Sequence, residues 1–210
     1  MATAKVKICG VTTADDALAA CEAGADALGF NFAAEAKSRN RYIDPEGAEA
    51  IIAELPPFVV TVGIVVNQSV ERIRELLEIV DRIQLHGEEP PEVCNAIGAR
   101  AIRAFRVGGA FDPAGMLAHR AGAYLLDALA PGSRGGTGQV CDWAKARRAV
   151  ALERPIILAG GLTPSNVGEA IRAVRPYAVD TAGGVERAPG VKDHDRIRAF
   201  IRNAKSVFLP

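Results

Sequence analysis

Two residues that close strand-like runs could move protons. Cys9 ends Lys5-Val6-Lys7-Ile8 just before Gly10, and Asp127 ends Tyr124-Leu125-Leu126. A thiol with an ordinary pKa of about 8.5 becomes a base or nucleophile where cations or backbone dipoles favour the thiolate. Otherwise a cysteine is a small inert hydrophobe, the reading that suits Cys21, Cys94 and Cys141. A carboxylate beside apolar neighbours is either a cap or loop ligand, or a general acid with a raised pKa. Lys7 shares a face with Cys9 if the strand is regular. His86, Arg106 and Asp180 also stand at run ends. His86 reads as a hydrogen-bonded rim residue, and His119 and His194 as solvated residues of helical segments. Arg39 and Arg41 lie in a polar loop; they are surface charges, or a fork for a carboxylate.

A second kind of chemistry is anion binding. Pro155-Ile156-Ile157-Leu158 is a short apolar run, followed by Gly160-Gly161 and then by Thr163-Pro164, which look like an N-cap and an N1 proline. The glycine pair is a tight strand-to-helix turn, or a cradle of free N–H groups at the positive end of a helix dipole. Tyr177-Ala178-Val179-Asp180 repeats the pattern and leads into Ala182-Gly183-Gly184. Two successive C-terminal strands ending in glycine pairs match the phosphate site that (β/α)8 barrels build after strands seven and eight.

The elements that must position these residues alternate along the chain. Strands are expected at 5–9, 27–32, 58–65, 81–85, 101–105, 123–127, 155–158 and 177–180. Helices are expected to open near Thr13, Pro45, Ser69, Pro90-Pro91, Pro113, Cys141, Thr163 and Asp193. The 3.6-residue period is plain in Val167, Ala170, Ile171 and Val174, and in Ile197, Phe200, Ile201 and Ala204. Eight strand–helix units without a linker predict one α/β domain over residues 1–210, a (β/α)8 TIM barrel with short loops. No GxGxxG follows the first strand, which weakens a dinucleotide reading.

Composition narrows the function classes. The chain has 210 residues, 49% of them hydrophobic, with 25 Lys and Arg against 25 Asp and Glu. The absence of a basic block argues against a nucleic-acid partner. No apolar run approaches the roughly 20 residues of a membrane span. The start of the chain lacks a signal-peptide pattern, and the scattered cysteines suit a reducing cytoplasm. No HExxH or paired metal carboxylates stand out, so no metal is expected.

Taken together the residues resemble the phosphoribosylanthranilate isomerase family. The resemblance covers nearly the whole chain. It rests on Lys7-Ile8-Cys9-Gly10, Gly29-Phe30-Asn31-Phe32, Arg41-Tyr42-Ile43, Gln84-Leu85-His86-Gly87, Leu126-Asp127, Gly135-Gly136-Thr137-Gly138 with Asp142-Trp143, Leu158-Ala159-Gly160-Gly161-Leu162 with Asn166-Val167, and Gly184-Val185-Glu186 with Pro189-Gly190 and Lys192-Asp193. It implies a cofactor-free Amadori rearrangement of phosphoribosylanthranilate, the third step of tryptophan synthesis from anthranilate, by a monomer or homodimer. By position Asp127 resembles the general acid and Cys9 the general base, which implies one pKa moved up and the other down. Arg41 resembles the arginine that receives the anthranilate carboxylate, with Arg39 the alternative. Gly160, Gly161, Ala182 and Gly183 lie where family members hold the phosphate, and His86, Asp180 and Gly184 join the substrate-binding set. Ala182-Gly183-Gly184 stands where the family commonly has Ser-Ser-Gly, and Lys37-Ser38-Arg39-Asn40-Arg41 where it usually has Ser-Pro-Arg. The rivals are the histidine-branch isomerase, expected to carry an aspartate at Cys9; indole-glycerol-phosphate synthase; and a barrel that binds a phosphate ligand without chemistry.

Overall fold

A computed structural model describes residues 2–109, 111–128, 140–152 and 154–209. Eight parallel strands close a barrel: β1 Lys5–Cys9, β2 Ala27–Asn31, β3 Val60–Val65, β4 Arg82–Leu85, β5 Ala101–Val107, β6 Ala123–Ala128, β7 Ile156–Leu158 and β8 Ala178–Thr181. Period-two alternation sorts their side chains. Val6, Ile8, Leu28, Ile83, Leu126, Leu158 and Val179 join the helices in one apolar shell. Val62, Ile102, Ala104, Leu125, Ile157 and Ala178 form a second, smaller apolar cluster inside the barrel. Above that plug the inward positions turn polar, with Lys7, Gln84, Asp127 and Asp180 all buried.

The surrounding helices are α1 Ala14–Glu22, α2 Pro45–Ile52, α3 Val70–Leu76, α4 Pro91–Ile97, α5 Trp143–Ala149, α6 Val167–Val174 and α7 His194–Lys205. Thr13, Asp44, Ser69, Asp142 and Asp193 cap theirs by accepting from a backbone N–H in the first turn. The helix expected at Pro113 is instead a 3-10 turn, Pro113–Ala118. The helix expected from Thr163 is assigned from Val167. The Thr163 carbonyl does accept from Val167 N, and the Asn166 side chain returns to the Thr163 N–H at 2.8 Å, so Asn166 does part of the capping expected of Thr163. Phe58, expected in the third strand, lies before it and is 97% exposed. His119 follows the 3-10 turn rather than lying in a helix. It packs edge-on against Phe105 with its Nδ1 buried and unpaired, so it is not simply solvated. His194 opens α7 and meets Asp16 at 2.8 Å. The glycine loop expected at 130–138, with Gly135-Gly136-Thr137-Gly138, falls outside the described residues.

Register sets up the site. Cys9 pairs with Gly29, Lys7 with Asp180, and Arg106 with Asp127 across neighbouring strands. No helix of the described residues is long and apolar enough to cross a membrane.

Candidate active site

Every strand end points the same way, so residues from all round the chain meet at one mouth. A cavity of about 540 Å³ there is lined by Cys9, Arg41, His86, Asp127, Asp180 and Ala182, among others. A second, of about 460 Å³, shares Arg41, Asp127, Asp180 and Ala182 and adds Gly160, Gly161, Gly183 and Gly184. The two lobes bring together every site residue expected from the sequence. Arg39 and Arg106 line the first lobe as well.

Cys9 is 9% exposed at the end of β1. Its neighbour across the register is Gly29, whose missing side chain makes room: a Cβ there would lie 2.9 Å from Cys9 Sγ and 3.1 Å from Lys7 Nζ. Burial is the largest influence on the thiol and pushes it above its ordinary value, as does Asp180, while Lys7 and Lys192 pull it down. The surroundings therefore move Cys9 up, where the resemblance implied a thiol moved down. Sequence shows the cations but not the depth of burial.

Asp127 is the penultimate residue of β6, on the far side of the mouth. Its Oδ1 accepts from Ala128 N at 2.8 Å and its Oδ2 lies 3.6 Å from His86 Nε2. A polar chain reaches it from β1. Lys7 Nζ donates to Asp180 Oδ1 at 2.7 Å and to Gln84 Oε1 at 3.2 Å, and Gln84 Nε2 lies 2.8 Å from His86 Nδ1. An ammonium only donates, so Gln84 must turn its oxygen to Lys7 and its NH₂ to His86. His86 Nδ1 then accepts, and the ring proton sits on Nε2, facing Asp127.

Arg41 sits in a knot that the sequence reading did not find. Its Nε and Nη2 donate to the two oxygens of Glu186 at 2.9 and 2.8 Å, a bidentate pair. Lys192 Nζ donates to Glu186 Oε1 at 2.9 Å, to the Cys9 carbonyl at 2.7 Å and to the Ala182 carbonyl at 3.2 Å. One buried carboxylate thus ties the arginine to the strand end that carries Cys9 and to the loop after β8. Arg41, Glu186 and Lys192 mark no element by their spacing, although each stands in a motif of the resemblance; the polar chain was signalled by Lys7, two residues before Cys9, and by His86, Asp127 and Asp180 at run ends.

The glycines of the second lobe are there for space. Gly160 and Gly161 have φ of +80° and +62°. A Cβ on Gly160 would meet Ala128 N at 2.6 Å. A Cβ on Gly184 would strike the Leu162 carbonyl oxygen and approach Thr181 Oγ1 to 2.7 Å, so the loops after β7 and β8 close only around a bare backbone. Gly184→Ala is expected to cost about 1–3 kcal/mol through overpacking, read by chemical denaturation, and to raise KM for a phosphorylated substrate. Among the described residues, no group of three or more His, Cys, Asp and Glu side chains is gathered as a metal-ligand set would be.

With the geometry in place, comparison with known proteins decides the family. The model of N-(5'phosphoribosyl)anthranilate (PRA) isomerase matches residues 6–203. The chain belongs to the phosphoribosylanthranilate isomerase family. The N-(5'-phosphoribosyl)anthranilate isomerase of Geobacter metallireducens is 51% identical over 206 residues, which span 96% of this chain and 99% of that one. The solved isomerase of Thermotoga maritima superposes with a TM-score of 0.87 at 44% identity, over 97% of this chain and 100% of that one. A solved isomerase in complex with reduced 1-(o-carboxyphenylamino)-1-deoxyribulose 5-phosphate superposes with a TM-score of 0.83 at 42% identity, over 97% and 100%. The activity of this family member is the isomerisation of N-(5-phosphoribosyl)anthranilate to 1-(2-carboxyphenylamino)-1-deoxyribulose 5-phosphate, an intramolecular oxidoreduction in tryptophan biosynthesis.

Proposed function

We propose that Asp127 is the acid and Cys9 the base of this isomerisation. Asp127 gives a proton to the ribose ring oxygen. The ring carbon–oxygen bond breaks as the anilino nitrogen lone pair forms the Schiff base. The Cys9 thiolate then takes the proton from the adjacent sugar carbon, and the resulting enolamine tautomerises to the ketone. The observation that carries this reading is the shared cavity: Cys9 and Asp127 come from β1 and β6 and line one space of about 540 Å³.

The lobes assign the two ends of the substrate. The glycine-walled lobe takes the phosphate on backbone N–H groups, and Asp180 and His86 face the sugar between. Arg41 spends Nε and Nη2 on Glu186 and meets the anthranilate carboxylate with Nη1. Arg41→Ala is expected to raise KM about 10-fold or more, and Arg39→Ala less, in an assay that follows loss of the substrate's fluorescence. A larger KM effect at Arg39 would transfer the role to it.

All of these side chains come from one chain, which supports a single domain that acts as a monomer or homodimer. The four free cysteines and a pathway of small soluble metabolites support a cytoplasmic protein.

A further inference from the structure

Lys7 does not take part in the acid–base steps above, yet its ammonium is one of the most deeply buried charges in the mouth, at 3% exposure. A lysine has three N–H donors. Two go to oxygens, Asp180 Oδ1 at 2.7 Å and Gln84 Oε1 at 3.2 Å. Cys9 Sγ lies on the same side: a Cβ on Gly29 would stand 2.9 Å from the sulfur and 3.1 Å from the ammonium, so the two flank one bare Cα. Leaving a buried N–H without a partner is costly, and a thiolate at that position would satisfy it.

The other cation near Cys9 is differently committed. Lys192 gives its donors to the carbonyls of Cys9 and Ala182 and to Glu186, all oxygens. Asp180, on β8, is the one acid among the groups that act most strongly on the thiol, and Arg41 is neutralised by Glu186. We propose that Lys7 is a positioning residue whose ammonium is the counter-ion of the Cys9 thiolate, and that Asp180 competes with the sulfur for it.

The proposal rests on Cys9 as the base. The thiol loses its proton to solvent, the thiolate sits against Lys7, and the sulfur becomes a thiol again on taking the sugar proton; Lys7 keeps all three of its protons throughout. Burial opposes ionisation of Cys9 and Lys7 offsets part of that penalty, while Cys9 and Asp180 together hold the Lys7 ammonium above the usual lysine value against burial.

The two partners of Lys7 give substitutions of opposite sign. Ultraviolet thiolate absorbance is titrated in the wild type, Lys7→Met, Lys7→Arg and Asp180→Asn, each against a matched Cys9→Ala blank that removes the signal of the other thiols. Lys7→Met is expected to move the Cys9 titration up by about one unit or more, a tenfold loss of thiolate at a fixed pH. Lys7→Arg is expected to stay near the wild type, and Asp180→Asn to move the titration down. The acid limb of kcat/KM in Lys7→Met is expected to follow the absorbance. Titrations that stay put in both Lys7→Met and Asp180→Asn would overturn the proposal and leave Lys7 a structural prop. If Lys7→Met fails to fold, Asp180→Asn decides: a downward move supports the pairing and no move overturns it. A thiol titration that moves while the kcat/KM limb does not would retire Cys9 as the base, a failure of the underlying reading and not of the pairing.

Discussion

Cys9→Ala and Asp127→Asn are each expected to lower kcat about 10²–10⁴-fold while KM stays within a few-fold, the signature of groups used in the transition state rather than in binding. The substitutions are small where they matter for the fold. Cys9→Ala removes one sulfur at the rim of a cavity and leaves Lys7 on Asp180 and Gln84. In Asp127→Asn the amide oxygen can still accept from Ala128 N, the 2.8 Å bond that orients the side chain, but there is no acidic proton to give. Far-ultraviolet circular dichroism is therefore expected to match the wild type. Both losses fall on one turnover, so the double variant is expected to be far less impaired than the product of the single effects. A Cys9→Ala enzyme with wild-type kcat would remove the sulfur from the mechanism.

Glu186→Gln is expected to be the most destabilising single change in the mouth. The side chain is 4% exposed and neutralises two cations, Arg41 and Lys192. Removing its charge leaves both buried without a counter-ion, a cost of about 3–5 kcal/mol by analogy with other broken buried pairs, measurable by urea denaturation. Adding Lys192→Met is expected to return part of that loss, because one of the two orphaned charges goes with it. The pH dependence has a definite sign. Burial alone would raise the Glu186 carboxyl, but its bonds to Arg41 and Lys192 outweigh that and hold it below its ordinary value. Its contribution is therefore complete above the ordinary glutamate range and is lost as the pH falls through the lower, folded value. The wild type should lose stability in that acid window more steeply than Glu186→Gln. KM should also rise in the variant, since Arg41 is no longer held.

The barrel was legible because its information is local. Each buried strand is a short apolar run, each helix carries its own period, and the caps at Thr13 and Ser69 are single residues beside the elements they start. Cys9 and Asp127 stood out because strand ends in such barrels face the site. What could not be read depends on distance in the chain. Arg41 and Glu186 are 145 residues apart, and Lys7 and Gln84 are 77 apart, so no periodicity links them. The direction of the Cys9 shift was misjudged for a related reason: it is set by how far a three-dimensional shell excludes water, against two lysines whose positions only the folded barrel fixes. Phe58 shows the limit of hydrophobic pattern, since an apolar residue before a buried strand was counted into it while its side chain stands in solvent.

A crystal structure of the chain with reduced 1-(o-carboxyphenylamino)-1-deoxyribulose 5-phosphate would put the acid–base assignment to the most direct trial. The account predicts Cys9 Sγ about 3–3.5 Å from the sugar carbon next to the anilino-bearing one, Asp127 on the oxygen released by ring opening, and the phosphate on the amides around Gly160-Gly161 and Ala182-Gly183-Gly184. A complex with the sulfur facing the phosphate or the aromatic ring, or with Asp127 turned away from that oxygen, would contradict it.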